Sequence, residues 1–187
     1  RFTCFISFPT MLGLSLTAPE LITIAITDKW IESAKILQLL CISGAFIPII
    51  GLCSNLVISK GKSNIYMWNT ISLVIVQLIT ALLIYPLGIH TMVIAYVVIN
   101  IAWLFIWNYF VHREIGYRLI DLLKDLFPYL FITVGIMAIT SSATANCTDI
   151  YMRFVAKIGM AASLYLIVMW LSGSVTFKES IQYLKKK

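Results

Sequence analysis

Six stretches of this chain are long enough and poor enough in charge to cross a bilayer, and they restrict the fold more than any other feature. A hydrocarbon core about 30 Å thick takes about 20 apolar residues in a helix that rises 1.5 Å per residue. The runs cover residues 2–26, 36–59, 65–85, 92–111, 128–145 and 154–171. The first is interrupted by Pro19-Glu20, the second is free of charge, and the sixth carries Lys157 one turn from its start. A membrane β-barrel shows segments of about ten residues with alternating polarity, whereas these runs are continuous. The expected class is therefore an all-α integral membrane protein with six transmembrane helices. Composition agrees. Only 12% of the residues are charged, about half the share found in soluble domains, and the mean hydropathy is +0.94.

The links add a second kind of element. Residues 112–127 place Ile115, Leu119, Leu122, Leu123 and Leu126 at helical spacing, with Glu114, Arg118, Asp121 and Asp125 on the other face. That pattern predicts an amphipathic helix lying in the membrane interface. Pro128 then opens the next span, at a helix start where its missing N–H costs little. A shorter amphipathic turn over residues 28–35 joins the first two spans. The expected organisation is four spans over 1–111, the interfacial helix over 112–127, a final pair of spans over 128–172 and a basic tail over 173–187.

A net charge of +6 would suggest nucleic acid in a soluble protein. Here the basic residues fall between apolar runs, where they act as orientation signals and contacts for membrane lipids. If the spans alternate, Arg1, Lys60, Lys62, Arg113, Arg118, Lys124, Lys178, Lys185, Lys186 and Lys187 share one side, against Lys29, Lys35, Arg153 and Lys157 on the other. The positive-inside rule then places both termini in the cytoplasm. The chain begins with Arg1 rather than Met, and we expect it to be the C-terminal part of a longer protein.

Little in the sequence points to covalent chemistry. Cys4, Cys41 and Cys53 lie in apolar runs and Cys147 lies alone in a loop, with no CxxC or Cys/His cluster for a disulfide framework or zinc. They read as small hydrophobes. His90 and His112 fall near opposite ends of the fourth run, too far apart to share a metal. There is no GxSxG, HExxH, Walker loop or paired-carboxylate motif, so no catalytic residue, metal or cofactor is assigned, and an enzyme is not expected. The polar residues inside the spans are the better lead, because such groups turn toward partners or water. They are Glu20, Asn55, Asn69, Gln77, Asn100, Asn108 and Lys157. The amides serve either interhelical hydrogen bonds or a polar path, and Lys157 is expected to snorkel to the interface. Glu20 follows a proline and has no basic residue within seven positions. It is either a water-exposed helix end near the outer headgroups or part of a hydrophilic cavity. Glu20, Asn55, Asn69 and Asn100 are the candidates for a transport path. Pro48 is tolerated within its span where neighbours satisfy the freed carbonyl. Trp30, Tyr66, Trp68, Trp107, Tyr109 and Tyr129 read as interface anchors.

The order of features resembles a known family. The span FPTMLGLSLTAPELI is followed by the turn TDKW, then IESAKILQLLCISGAFIPI, the link SKGKSN, and later HREIGYRLIDLLKDLFPYL. Over essentially the whole chain this is similar to the C-terminal part of bacterial polysaccharide-biosynthesis membrane proteins of the O-antigen flippase type. These belong to the multidrug/oligosaccharidyl-lipid/polysaccharide flippase superfamily. The resemblance implies a partial flippase-type helical bundle in the bacterial cytoplasmic (inner) membrane. In the whole protein, two helical lobes enclose a hydrophilic cavity. The four spans before the interfacial helix would complete the second lobe, and the last two would be an added pair. It also implies an undecaprenyl-diphosphate-linked oligosaccharide as substrate and the missing N-terminal half as partner, with no role for nucleic acid. The alternatives are a cation-coupled multidrug extruder of the same superfamily and a membrane enzyme of polysaccharide assembly. The latter calls for a large external loop, and the longest external link here spans residues 146–153.

Overall fold

The structure, a computed structural model, describes residues 2–145 and 149–171. Arg1, Asn146, Cys147 and the basic tail, including Lys178 and Lys185 to Lys187, lie outside the described residues. Among those described, the chain is helical without strands, and six helices are long and apolar enough to cross a membrane. They are α1 (Phe2–Ala25), α2 (Ile31–Ser59), α3 (Ser63–Ile84), α4 (Ile89–Ile115), α5 (Leu119–Thr144) and α6 (Ile150–Leu171). Single 3-10 turns at Asp28–Trp30 and Tyr85–Leu87 precede α2 and follow α3.

Hydropathy marks only the apolar part of each helix, and the hydrogen-bonded helix reaches past it into the polar ends. Thus α2 begins at Ile31 and absorbs most of the predicted amphipathic turn, with Lys35 donating to Glu32 across one turn at 2.9 Å. The link between α2 and α3 closes in a few residues because Gly61, at φ 75°, takes a left-handed conformation that is costly for residues with a Cβ.

The separate interfacial helix over residues 112–127 is not formed. Residues 112–115 are the last turn of α4, which ends where Gly116 adopts φ 77° and donates its N–H to the His112 carbonyl at 2.8 Å. Helix α5 then runs from Leu119 straight through Pro128. The apolar positions explain the continuity. Leu126, Tyr129, Thr133, Ile136, Thr140 and Thr144 form one buried stripe, so the face that looked amphipathic stays in phase with the span. Pro128 sits on the exposed side of that helix, rather than at a helix start.

The described residues divide into two compact units, one from residues 2–38 with 125–145 and 149–171, the other from residues 39–124. In the first, α1 packs against α6. In the second, α3 packs against α4, and Cys53, Val57, Trp107 and Val111 form a buried cluster. Trp107 is thus a core residue with its ring 6.1 Å from that of Tyr66, and Tyr129 is buried as well. Neither is an interface anchor, whereas Trp30, Tyr66, Trp68 and Tyr109 are exposed. Cys4, Cys41 and Cys53 are free and buried, as small hydrophobes are.

Candidate functional site

The most polar buried feature is the seam between α1 and α6, and the prolines of α1 help to create it. A proline removes the N–H that would bond the carbonyl four residues earlier. Pro9 and Pro19 therefore leave the carbonyls of Phe5 and Ser15 without their helical donors. In a membrane such groups need another partner, and both find one. Tyr165 of α6 donates its hydroxyl to the Phe5 carbonyl at 2.8 Å. Gln38 of α2 donates Nε2 to the Ser15 carbonyl at 3.2 Å, while the Ser15 hydroxyl donates back to the Gln38 carbonyl at 3.4 Å.

Past Ser15 along α1 lies an ion pair. Lys157 of α6 donates Nζ to Glu20 Oε1 at 2.6 Å and to the Leu16 carbonyl at 3.1 Å. The two side chains are only 11% and 5% exposed. Glu20 Oε2 is buried without a hydrogen-bond partner. Lys157 stands seven residues into α6, about 10 Å along the helix, and Glu20 stands five residues before the end of α1, about 8 Å in. The expectations of an exposed helix end for Glu20 and a snorkelling Lys157 are therefore replaced by mutual neutralisation, which removes most of the cost of a lone charge inside an apolar span. The order of contacts, Phe5 with Tyr165 and Glu20 with Lys157, shows that α1 and α6 run antiparallel.

Beside the pair, Pro9, Gly13, Leu14, Met137, Phe154 and Ala161, among others, line a crevice of about 520 Å³. Its two threonines, Thr10 and Thr17, spend their hydroxyls on carbonyls of their own helix. The crevice is therefore apolar except at Lys157 and Tyr165, whose polar groups are also engaged. It suits a hydrocarbon chain, and the neutral pair leaves no free cation in it.

The other path candidates have surroundings of their own. Asn69 accepts from Trp103 Nε1 at 2.8 Å, tying α3 to α4. Asn100 donates to the Tyr96 carbonyl of its own helix at 2.8 Å. Asn55 is exposed on α2, and Gln77 borders a crevice between α3 and α4. Among the described residues none of Glu20, Asn55, Asn69 and Asn100 bonds to another. Sequence reasoning missed Tyr165 and Gln38, although a proline inside a span signals a carbonyl in need of a donor. It also held the two halves of the ion pair apart, although alternating spans place Glu20 and Lys157 toward the same side.

No family model and no solved structure matches the chain. It is similar to a protein of Klebsiella pneumoniae named "Uncharacterized membrane protein in cps region", with 26% identity over 129 residues. The match covers 68% of this chain and 22% of that relative's length. Together with the six apolar helices, it describes a multi-pass membrane protein similar to one from a capsule polysaccharide region.

Proposed function

We propose that this chain is part of a transporter that flips an undecaprenyl-diphosphate-linked oligosaccharide across the cytoplasmic membrane by alternating access. The observation that carries this reading is the similarity to a membrane protein of a capsule polysaccharide region. The geometry adds support. A lipid-linked sugar needs a place for its tail, and the α1–α6 crevice is apolar and about 520 Å³ in volume. Proline-interrupted helices held by side chains are elements that transporters place around a substrate path. A diphosphate needs cations, and Lys157 is already committed to Glu20. The headgroup contacts are accordingly assigned to the N-terminal half of the longer protein, and no catalytic role is assigned to this chain.

A second reading, a cation-coupled multidrug extruder, draws on the deep carboxylate of Glu20 with one oxygen unpartnered. One experiment separates them. Disruption of the gene in its host is expected to abolish surface polysaccharide and to leave lipid-linked units on the cytoplasmic side. Glu20→Gln, compared at matched protein level, is expected to reduce surface polysaccharide in part, and the exchange of Glu20→Lys with Lys157→Glu to restore some of it. Unchanged polysaccharide with greater drug sensitivity would replace the flippase reading with the extruder.

A further inference from the structure

The corner between α4 and α5 gathers hydrogen-bond donors that the proposed transport does not use. Helix α4 ends at Ile115, and α5 begins four residues later, at Leu119. In the gap stands Arg118, whose carbonyl accepts from the N–H groups of Asp121 and Leu122 at 3.0 and 3.2 Å. The N–H groups of Leu119 and Ile120 then belong to the unpaired first turn of a long helix, where partial positive charge collects. Both residues line a crevice of about 390 Å³ together with Arg118, His112 and Asn108.

Asn108 supplies an observation independent of the helix end. It is 3% exposed, lines the crevice, and its Nδ2 is buried with no hydrogen-bond partner. Such a group is costly unless something accepts from it. The carboxylate of Glu114 does not line the crevice and lies 4.0 Å from Lys62. Arg118, the Asn108 amide and the start of α5 therefore line one crevice whose lining includes no carboxylate, although Asp121 stands in the first turn of α5. The other end of the crevice is apolar. Phe105 lies seven residues before His112 on α4, about 10 Å away along the helix. Phe105 and Ile120 are 50% and 61% exposed, so the mouth opens to the surroundings of a membrane-length helix.

We propose that this corner binds the phosphate of an anionic bilayer phospholipid, with Arg118 and the Asn108 amide as donors and one acyl chain along Phe105. A bilayer lipid is favoured over a soluble anion because the crevice joins the donors to an apolar, outward-facing wall. Basic pockets at the membrane surface are where such headgroups dwell.

The test uses the full chain, delipidated in detergent and titrated with phosphatidylglycerol, phosphatidylcholine or inorganic phosphate, with bound lipid read by native mass spectrometry and protection by thermal unfolding. Phosphatidylglycerol is expected to be retained and to raise the unfolding temperature, and phosphatidylcholine to do neither. Arg118→Gln is expected to reduce retention about fivefold. Asn108→Leu should reduce it as well, whereas Arg113→Gln, outside the crevice, leaves it unchanged. Arg118 is exposed, so its variant folds irrespective of the outcome at Asn108. Equal retention of the two lipids, or retention of phosphatidylglycerol undiminished by Arg118→Gln, would overturn the proposal. Equal protection by inorganic phosphate alone would overturn the assignment to lipid.

Discussion

The two helix pairs, α1 with α6 and α3 with α4, solve the same problem with different chemistry. Each joins helices whose outer faces are apolar, where burial against a neighbour gains little over burial in lipid and polar contacts decide who pairs with whom. The α3–α4 contact uses a neutral hydrogen bond, Trp103 to Asn69 at 2.8 Å. The α1–α6 contact uses an ion pair at 2.6 Å and a tyrosine on a proline-freed carbonyl. Neutral amides find substitute partners within their own helix, as Asn100 does with Tyr96. A lone buried charge has no such fallback. The α1–α6 seam is therefore the one whose loss the protein tolerates least.

The largest effect is expected from breaking the ion pair on one side. Lys157→Met leaves Glu20 buried without its cation and should cost about 3–5 kcal/mol, read by thermal unfolding in detergent. Adding Glu20→Leu should recover most of that loss, since a matched apolar pair removes both desolvated charges. A double variant no better than the single one would mean that the seam is held by packing alone, and the contrast between the two pairs would collapse.

A smaller loss is expected on the other side. Asn69→Leu removes the acceptor of Trp103 and should cost under about 2 kcal/mol, the range for interhelical hydrogen bonds in membranes. Trp103→Phe should cost a similar amount, and the two together little more than one. If Asn69→Leu proved as damaging as Lys157→Met, the neutral bond would carry more than its chemistry allows. The smallest effect belongs to Asn55, exposed on α2. Asn55→Leu should shift the stability of this chain by no more than about 0.5 kcal/mol. A loss of surface polysaccharide at unchanged stability would then point to a partner for Asn55 other than the residues described.

Much of the fold was legible because the signal is local. A run such as residues 36–59 satisfies its backbone within itself and needs no neighbour to be read as a helix. The segment over residues 112–127 was misread for a reason equally local. Its apolar spacing fits an interfacial helix as well as the first turns of a span, and only the buried stripe from Leu126 to Thr144 shows that the phase carries on. Trp107 and Tyr129 were placed at the interface by residue type, while their burial depends on which helices meet them. At the site, Glu20 and Lys157 were visible as costly residues, but each was assigned a solution by itself.

The sequence by itself determined the six membrane-length helices among the described residues and that α1 carries two carbonyls stripped of their donors by Pro9 and Pro19. Both follow from hydrogen bonds confined to a few consecutive residues. Only the tertiary structure decided that Tyr165 and Gln38 supply the missing donors and that Lys157 neutralises Glu20. These partners lie 160, 23 and 137 residues away along the chain. At such separations one-dimensional spacing carries no phase, and the pairing is set by which helices pack together.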